Sequence, residues 1–338
     1  MSDLRYDPIS NQWIAIANNR HERPIEVMPV EQQRPQLLCP FCKGNEDETP
    51  PPIAVYRSDG EPLTEDDDIS SWTVRVVPNK YPSLPHATAN GSVAAKPCCR
   101  DFGPYRSTSL PGEQELVIPT PRHVMSLSEL DENELKLSFR AYQHRLRYQQ
   151  ALPHVKHSML FMNCRSSAGA SLSHIHSQII ASPVVSDYLA ERVRRNQHHH
   201  DETGVTIMES IVQWERIQRK RVVYESECFC VFCPFASRLP YQLWIVPKHE
   251  FRRFMDCPDW MRDELAWLCQ QMICRIERML EEPGYNLLLH QAPYEMADTD
   301  HWYFELFPRL TRAAGFEWGT DIWVNPITPE NAARRFRL

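Results

Sequence analysis

Three polar side chains at alternate positions raise the first chemical question: His174, His176 and Gln178, in the stretch SLSHIHSQII. Read as a strand over 173–181, the stretch puts these three on one face and Ile175, Ser177 and Ile179 on the other. A solvent-facing edge strand would carry such a face as well. A second motif shifts the reading towards chemistry. Cys39-Pro40-Phe41-Cys42 lies in a turn-rich segment, is followed by Lys43-Gly44, and has the spacing of one half of a zinc site. A redox pair or two buried thiols can share that spacing. As zinc ligands, the two thiolates need two more donors, and His123 and His174 are the candidates for a tetrahedral Cys₂His₂ set. Four protein ligands leave no position for water, so such a zinc would be structural and would fix His174. His176 then stays unmetallated. A neutral imidazole attacks phosphorus and leaves again when protonated. Before it, the small-residue run from Ser166 to Ser171 would let main-chain N–H groups approach phosphate oxygens.

Regular elements must hold these residues in place. The pattern predicts strands at Gln12–Ala17, Trp72–Val77 and Glu115–Ile118, within a first 70 residues otherwise rich in turn signals. It predicts a helix from Ser128, as cap, to about Leu152, with Leu135, Phe139, Tyr142 and Leu146 on one face. Strands at 158–163 and 173–181 follow. Residues 191–215 are polar and include Arg194-Arg195 and His198-His199-His200, which reads as a linker with a solvated histidine run. Beyond it, strands are expected at Val222–Phe232 and Gln242–Val246, a helix at Asp259–Leu280, and strands at Asn286–His290 and Trp302–Phe307. Both halves therefore read strand, strand, helix, strand, strand. ELVIPTPRH ends at His123 and LWIVPKH at His249, with His174 and His301 lying 51 and 52 residues further on. Two matched pieces at nearly equal separation indicate a duplicated α+β unit, with antiparallel sheets and helices packed on them. The expected division is 1–190, a linker at 191–215, and 216–338.

Composition narrows the classes. The chain has 338 residues, 42% of them apolar, and a formal net charge of −7. With a pI near 6.1 and no strongly basic region, nucleic acid is not an expected partner. The first residues lack a basic region followed by an apolar run, and the apolar stretches fall short of a membrane span, so a cytoplasmic location is expected. Eleven cysteines, an odd count without a compact disulfide framework, fit metal ligands or buried thiols.

The HIHSQ stretch resembles the HPHGQ signature of the galactose-1-phosphate uridylyltransferases, the transferase branch of the histidine-triad superfamily. Several further segments share the likeness: YDPISNQWIAIANNRHERP, CPFC, TPRH and the C-terminal PITPENAARRFR. The resemblance implies a duplicated histidine-triad-like fold with a zinc on Cys39, Cys42, His123 and His174. It implies that His176 attacks the α-phosphorus of a nucleoside diphosphate sugar, and that a sugar 1-phosphate then accepts the nucleotide. Gln178 would hydrogen-bond a phosphoryl oxygen, Arg20 and Arg23 would neutralise phosphate charge, and Asn163 and Ser171 would contact phosphate. The base and hexose segments depart from the family pattern. Asn79-Lys80-Tyr81-Pro82 and Gly319-Thr320-Asp321 look closer to ADP-glucose phosphorylase, which would use ADP-glucose and inorganic phosphate. Asn79 is then a candidate base-side contact, and Asp321 and Asn325 are candidate sugar-hydroxyl ligands. A catalytically inactive nucleotide-binding protein is a third, weaker reading. In the second half His249, His290 and His301 persist, but Cys230 and Cys233 fall on opposite faces of an expected strand, so a second zinc is expected to be lost. Tyr303 and Glu305 stand where the nucleophile and the glutamine would be, so the second half is expected to be catalytically silent. A homodimer is implied by the resemblance alone.

Overall fold

A computed structural model describes residues 3–17, 39–60, 71–84, 100–107, 111–248, 252–296 and 300–337. Its strands are β1 (Asp3–Asp7), β2 (Gln12–Ile16), β3 (Ala54–Tyr56), β4 (Val74–Pro78), β5 (Arg100–Phe102), β6 (Tyr105–Ser107), β7 (Glu113–Ile118), β8 (His157–Cys164), β9 (Ser177–Ser182), β10 (Val222–Glu225), β11 (Phe229–Phe232), β12 (Leu243–Pro247), β13 (Tyr285–His290), β14 (Tyr303–Pro308) and β15 (Trp323–Asn325). Its helices are α1 (Glu132–Gln150), α2 (Asp187–Thr203), α3 (Ile207–Gln218), α4 (Asp259–Leu280), α5 (Gly315–Thr320) and α6 (Pro329–Arg337).

Ten strands form one antiparallel sheet in the order β10-β11-β12-β14-β13-β8-β9-β7-β4-β3. The order reads the same from both ends once the halves are superposed, with β3-β4-β7-β9-β8 answering β10-β11-β12-β14-β13. The halves meet at the β8–β13 seam, where Asn163 stands opposite Asn286 and Phe161 opposite Leu288. This is the expected α+β duplication, and the sheet runs unbroken through both halves. A smaller sheet, β1-β2-β15, has a parallel β2–β15 pair.

Both long helices cover one face of the large sheet. Leu135, Phe139, Tyr142 and Leu146 of α1, with Leu265, Leu268, Met272 and Ile276 of α4, join a single core with Val76, Val117, Ile179, Leu289 and Phe304. Burying that much apolar surface is the main stabilising term of the fold. The opposite face is treated differently in the two halves. Over the second half, Ile207, Met208 and Val212 of α3, with Ile9, close on Cys230, Phe232, Trp244 and Tyr303. Over the first half, the Cys39–Cys42 turn lies on Trp72, Val77, Leu116 and Ile118.

Several elements differ from the sequence reading. The 191–215 segment is largely helical, within α2 and α3. Its polarity is that of surface helices laced by short-range pairs such as Glu191–Arg194 and His198–Glu202, and Thr206 and Glu209 form a capping box for α3. The expected strand Val222–Phe232 is a hairpin of β10 and β11, because the Ser226 hydroxyl accepts the N–H groups of Cys228 and Phe229 and turns the chain. The cap of α1 is Asp131 instead of Ser128. A 3₁₀ turn at Leu127–Glu129, capped by Ser126, comes first.

Candidate active site

The site is assembled by two turns that lock together. Cys39 and Cys42 are brought into one turn by the Cys42 N–H bonding the Cys39 carbonyl, 3.3 Å, and the Asn45 side chain donates to the same carbonyl, 2.8 Å. Arg75, wholly buried on β4, braces this turn by donating to Pro40 O, Glu46 O and Thr49 Oγ1 while stacking on Trp72. The Lys43 N–H then bonds Pro121 O, 3.1 Å, which ties the cysteine turn to the segment that carries His123.

The result is a compact cluster of four donors. Cys39, Cys42, His123 and His174 each offer a ligand atom, and these atoms all lie within 4.8 Å of one another. Cys42 Sγ is 3.2 Å from His123 Nδ1 and 3.6 Å from His174 Nδ1, and Cys39 Sγ is 3.6 Å from His174 Nδ1. Ligand bonds of about 2.0–2.3 Å in a tetrahedron give edges of about 3.5 Å, so this donor set could hold a metal ion. His174 is fully buried, and its Nε2–H donates to Thr120 O, 3.1 Å, which leaves the Nδ1 lone pair for the ion. Burial, with His123 nearby, pushes the His174 pKa down to about 3, so the ring is neutral as a ligand must be.

His174 and His176 precede β9 instead of lying within it. The Ile175 N–H is taken by Val124 O, 2.8 Å, and the ladder to β7 and β8 begins at Ser177. His176 still turns to the Gln178 side. Its Nδ1–H donates to the main-chain carbonyl of His174, 2.9 Å, which sets the tautomer with the lone pair on Nε2. Phe41 packs edge-on against it, with ring centres 5.1 Å apart. Burial holds its pKa below the ordinary histidine value, against the pull of the His174 carbonyl. Beneath it, Ser177 is pinned to α1 by the Tyr142 hydroxyl, 2.6 Å.

Gln178 pairs with Leu116 on β7 and Phe161 on β8, and its Oε1 accepts from Gln114 Nε2, 3.0 Å. Asn79 sits beside this pair, its N–H on Gln114 O at 2.8 Å and its Oδ1 accepting the Tyr81 N–H at 2.9 Å. Asn163 lies at the seam end of β8. Ser171 is exposed on the loop from Arg165 onward, where Arg165 and Gly169 take positive φ around a short 3₁₀ turn. The second half presses on this loop: a β-carbon on Gly284 would stand 2.1 Å from Ser167 Oγ.

The two expected sugar ligands make their hydrogen bonds elsewhere. Asn325 is 1% exposed, and its amide is spent on the main chain. Nδ2 donates to Ser237 O and Leu239 O, and Oδ1 accepts from Ile327 N. It is a bracket for the small sheet, not a hydroxyl ligand. Asp321 ends α5 at positive φ, is exposed, and accepts from Gln12 on β2 through Oδ2, 2.9 Å. Arg20, Arg23 and His249 lie outside the described residues. In the second half His290 donates to Glu305, 2.7 Å, and His301 donates to Pro247 O, 2.7 Å, as His174 does to Thr120 O. Cys230 and Cys233 belong to apolar clusters on opposite faces of the sheet. The sequence reading missed Phe41, Gln114, Thr120 and Asn286. Phe41, inside the CPFC motif, and Thr120, inside the repeated piece ending at His123, carried a signal.

Known proteins are similar to this chain in sequence and fold. Residues 187–317 match the family model described as galactose-1-phosphate uridyl transferase, C-terminal domain. ADP-glucose phosphorylase of Arabidopsis thaliana is 30% identical over 99% of this chain and 92% of its own length. Galactose-1-phosphate uridylyltransferase of Thermotoga maritima is 25% identical over 100% of this chain and 98% of its own. The crystal structure of the Arabidopsis phosphorylase with bound ADP-glucose superposes with a TM-score of 0.81 at 28% identity, covering 100% of this chain and 99% of that one. At these identities and coverages the chain belongs to the galactose-1-phosphate uridylyltransferase family and is a nucleotidylyltransferase.

Proposed function

We propose that His176 carries the nucleotide covalently between a nucleoside diphosphate sugar and a phosphate acceptor. Its Nε2 lone pair attacks the α-phosphorus, and the bond from that phosphorus to the bridging oxygen breaks. Sugar 1-phosphate leaves with the electron pair. In the second half-reaction a phosphate oxygen of an incoming sugar 1-phosphate attacks the same phosphorus, the N–P bond breaks and the neutral imidazole returns. The observation that carries this reading is the Nδ1–H bond to His174 O, which directs the nucleophilic lone pair to Nε2 and strengthens as the ring gains positive charge. Gln178 and Asn163 donate to the phosphoryl oxygens, Ser171 and Asn79 line the same side, and Arg20 and Arg23 supply charge. Gln178 has no titratable proton, which disfavours water as acceptor.

Zinc is the ion assigned to Cys39, Cys42, His123 and His174. When bound, it supplies a rigid clamp on His174 and no open coordination position. Through that clamp the His174 carbonyl holds the His176 ring in one orientation. Two units with boundaries near 190 and 216, a cytoplasmic location and assembly as a homodimer belong to the same reading. Among the described residues no helix is long and apolar enough to cross a membrane.

The first substrate reading is UDP-glucose with a hexose 1-phosphate, the reaction of galactose metabolism. A second reading, ADP-glucose with inorganic phosphate, is favoured by the higher identity to the Arabidopsis phosphorylase, 30% against 25% for the Thermotoga enzyme. Intact-mass analysis after exposure to UDP-glucose or ADP-glucose decides between them, because the mass added to the chain is that of a uridylyl or an adenylyl group. His176→Ala is expected to abolish the adduct and keep the zinc. An adduct that survives His176→Ala, or a wild-type chain that no nucleotide sugar labels, would sink the proposal.

A further inference from the structure

Two amides outside the expected set decide which way the site amides face. Gln114 is 4% exposed on β7. Its Oε1 accepts the Ser83 main-chain N–H, 2.7 Å. A main-chain N–H is only a donor, so the opposite end of Gln114 is its NH₂ group. That group donates to Gln178, 3.0 Å, and the atom it meets must be the Gln178 oxygen. Asn286 is 7% exposed on β13. Its Nδ2 donates to the Ala168 main-chain carbonyl, 2.9 Å, and to Asn163, 2.7 Å. A carbonyl is only an acceptor, so the Asn163 atom it meets is again the oxygen. Each chain of amides ends on a main-chain group that permits one polarity, so neither assignment is a free choice of flip.

We propose that Gln114 and Asn286 are positioning residues that hold Gln178 and Asn163 with their NH₂ groups towards the transferring phosphoryl group. The inference rests on the nucleotidylyl transfer proposed above. Asn163 Nδ2 stands beside the phosphate-side loop, 3.7 Å from where a β-carbon on Gly169 would sit. With their oxygens engaged, both site amides offer only donors. A flipped amide would aim a carbonyl oxygen at a phosphoryl oxygen, a repulsive contact in place of an attractive one. Amides do not titrate, so the polarity persists at every working pH. Asn286 belongs to the half that has Tyr303 in place of a nucleophile. It pairs with Asn163 across the seam, so the second half contributes to the chemistry of the first.

The test is the single-turnover rate of adduct formation on His176, measured at saturating UDP-glucose and ADP-glucose. Gln114→Leu and Asn286→Leu put a branched apolar side chain in place of the amide and remove the donor, and Gln114→Leu also removes the acceptor of the Ser83 N–H. Each is expected to slow adduct formation about 10- to 100-fold, the worth of a hydrogen bond to a charged group. Gln114→Glu keeps the bond from Ser83 and repels the Gln178 oxygen, so it is expected to slow the step at least as much as Gln114→Leu. The same changes are then made in chains that lack the amide they orient, Gln114→Leu with Gln178→Ala and Asn286→Leu with Asn163→Ala. There they are expected to cost less than about 2-fold, since nothing remains to be oriented. Equal losses in both backgrounds would show general damage to the fold and overturn the proposal. Folded, zinc-loaded single variants that label at the wild-type rate would overturn it too. A wild-type chain that never labels fails differently, since it removes the transfer reading and this inference with it.

Discussion

At the scale of single residues, two histidines two positions apart are left with lone pairs on opposite ring nitrogens by which nitrogen is bonded. His174 gives Nε2–H to Thr120 O and leaves its Nδ1 lone pair facing Cys39 and Cys42, whereas His176 gives Nδ1–H to His174 O and leaves its lone pair on Nε2. The two rings are linked, because the carbonyl that sets the His176 tautomer belongs to His174. On the proposed function, removing one thiolate should therefore reach His176. Cys42→Ala is expected to lose bound zinc, to lower the thermal midpoint, and to slow labelling of His176, whereas zinc content in His176→Ala stays at that of the wild type. Metal analysis beside intact-mass labelling checks this, and undiminished labelling in a zinc-free Cys42→Ala chain would disconnect the two histidines. Residue type and spacing made the four cluster residues legible in the sequence. Asn325 was misread because a polar residue near a turn looks the same in sequence whether it meets a sugar or, as here, three main-chain groups.

At the scale of elements, the start of α1 does more than begin a helix. Asp131 and Glu134 form its capping box, each side chain taking the other's main-chain N–H, and Glu134 also accepts from Thr120 Oγ1 and from Arg122. Those two residues lie in the segment that supplies His123 and the carbonyl under His174. Burial opposes charge on Glu134, but Arg122 and Thr120 hold its pKa below the ordinary carboxylate range. Glu134→Ala should therefore cost about 2 kcal/mol of stability, with Arg122 half exposed and its share discounted accordingly. It should also weaken zinc binding about 10-fold or more, as loss of a group supporting the ligands does. Urea midpoints and chelator competition measure the two effects, and a cost in stability with unchanged zinc affinity would confine Glu134 to capping. Strong amphipathic periodicity is why α4 was read with its bounds intact. Two capping boxes in tandem, Ser126 with Glu129 and Asp131 with Glu134, blurred the start of α1. The helix α2 was missed because its polar face outweighs a narrow apolar stripe and a histidine run reads as loop; α3, six of whose twelve residues are apolar, was lost with it inside one segment read as a linker.

At the scale of the whole molecule, the duplication put two equivalent faces on one sheet, and packing closed one of them. Tyr303 lies with its ring centre 4.9 Å from that of Trp244 and stacks on His290 at 4.6 Å, under α3 and Ile9. Glu305 is held by His290, Gln242 and Arg238, and although burial opposes its charge, Arg238 and His290 keep its pKa at about 2. The sequence repeat made the duplication legible, but not this closure, which depends on helices outside the repeated pieces. A closed polar face also binds stability to pH. His157, at the start of β8 and 7% exposed, is held at a pKa of about 4 by burial, with Arg192 and His290 adding repulsion. In the unfolded chain it titrates near 6.5, so between those values the unfolded state binds more protons than the folded one. The contribution of the neutral buried ring is therefore whole above about pH 6.5 and is lost as pH falls towards 4. Its upper bound is about 3 kcal/mol. The carboxylate of Glu305 draws on stability only below its own unfolded value near 4.5, so the span from 6.5 to 4.5 separates the two. His157→Gln should flatten the fall in urea midpoint across that span relative to the wild type, whatever the other histidines contribute to both chains. Parallel curves for the two chains would mean that the folded protein accepts a proton on His157 as readily as water does, and that this end of the seam is wet.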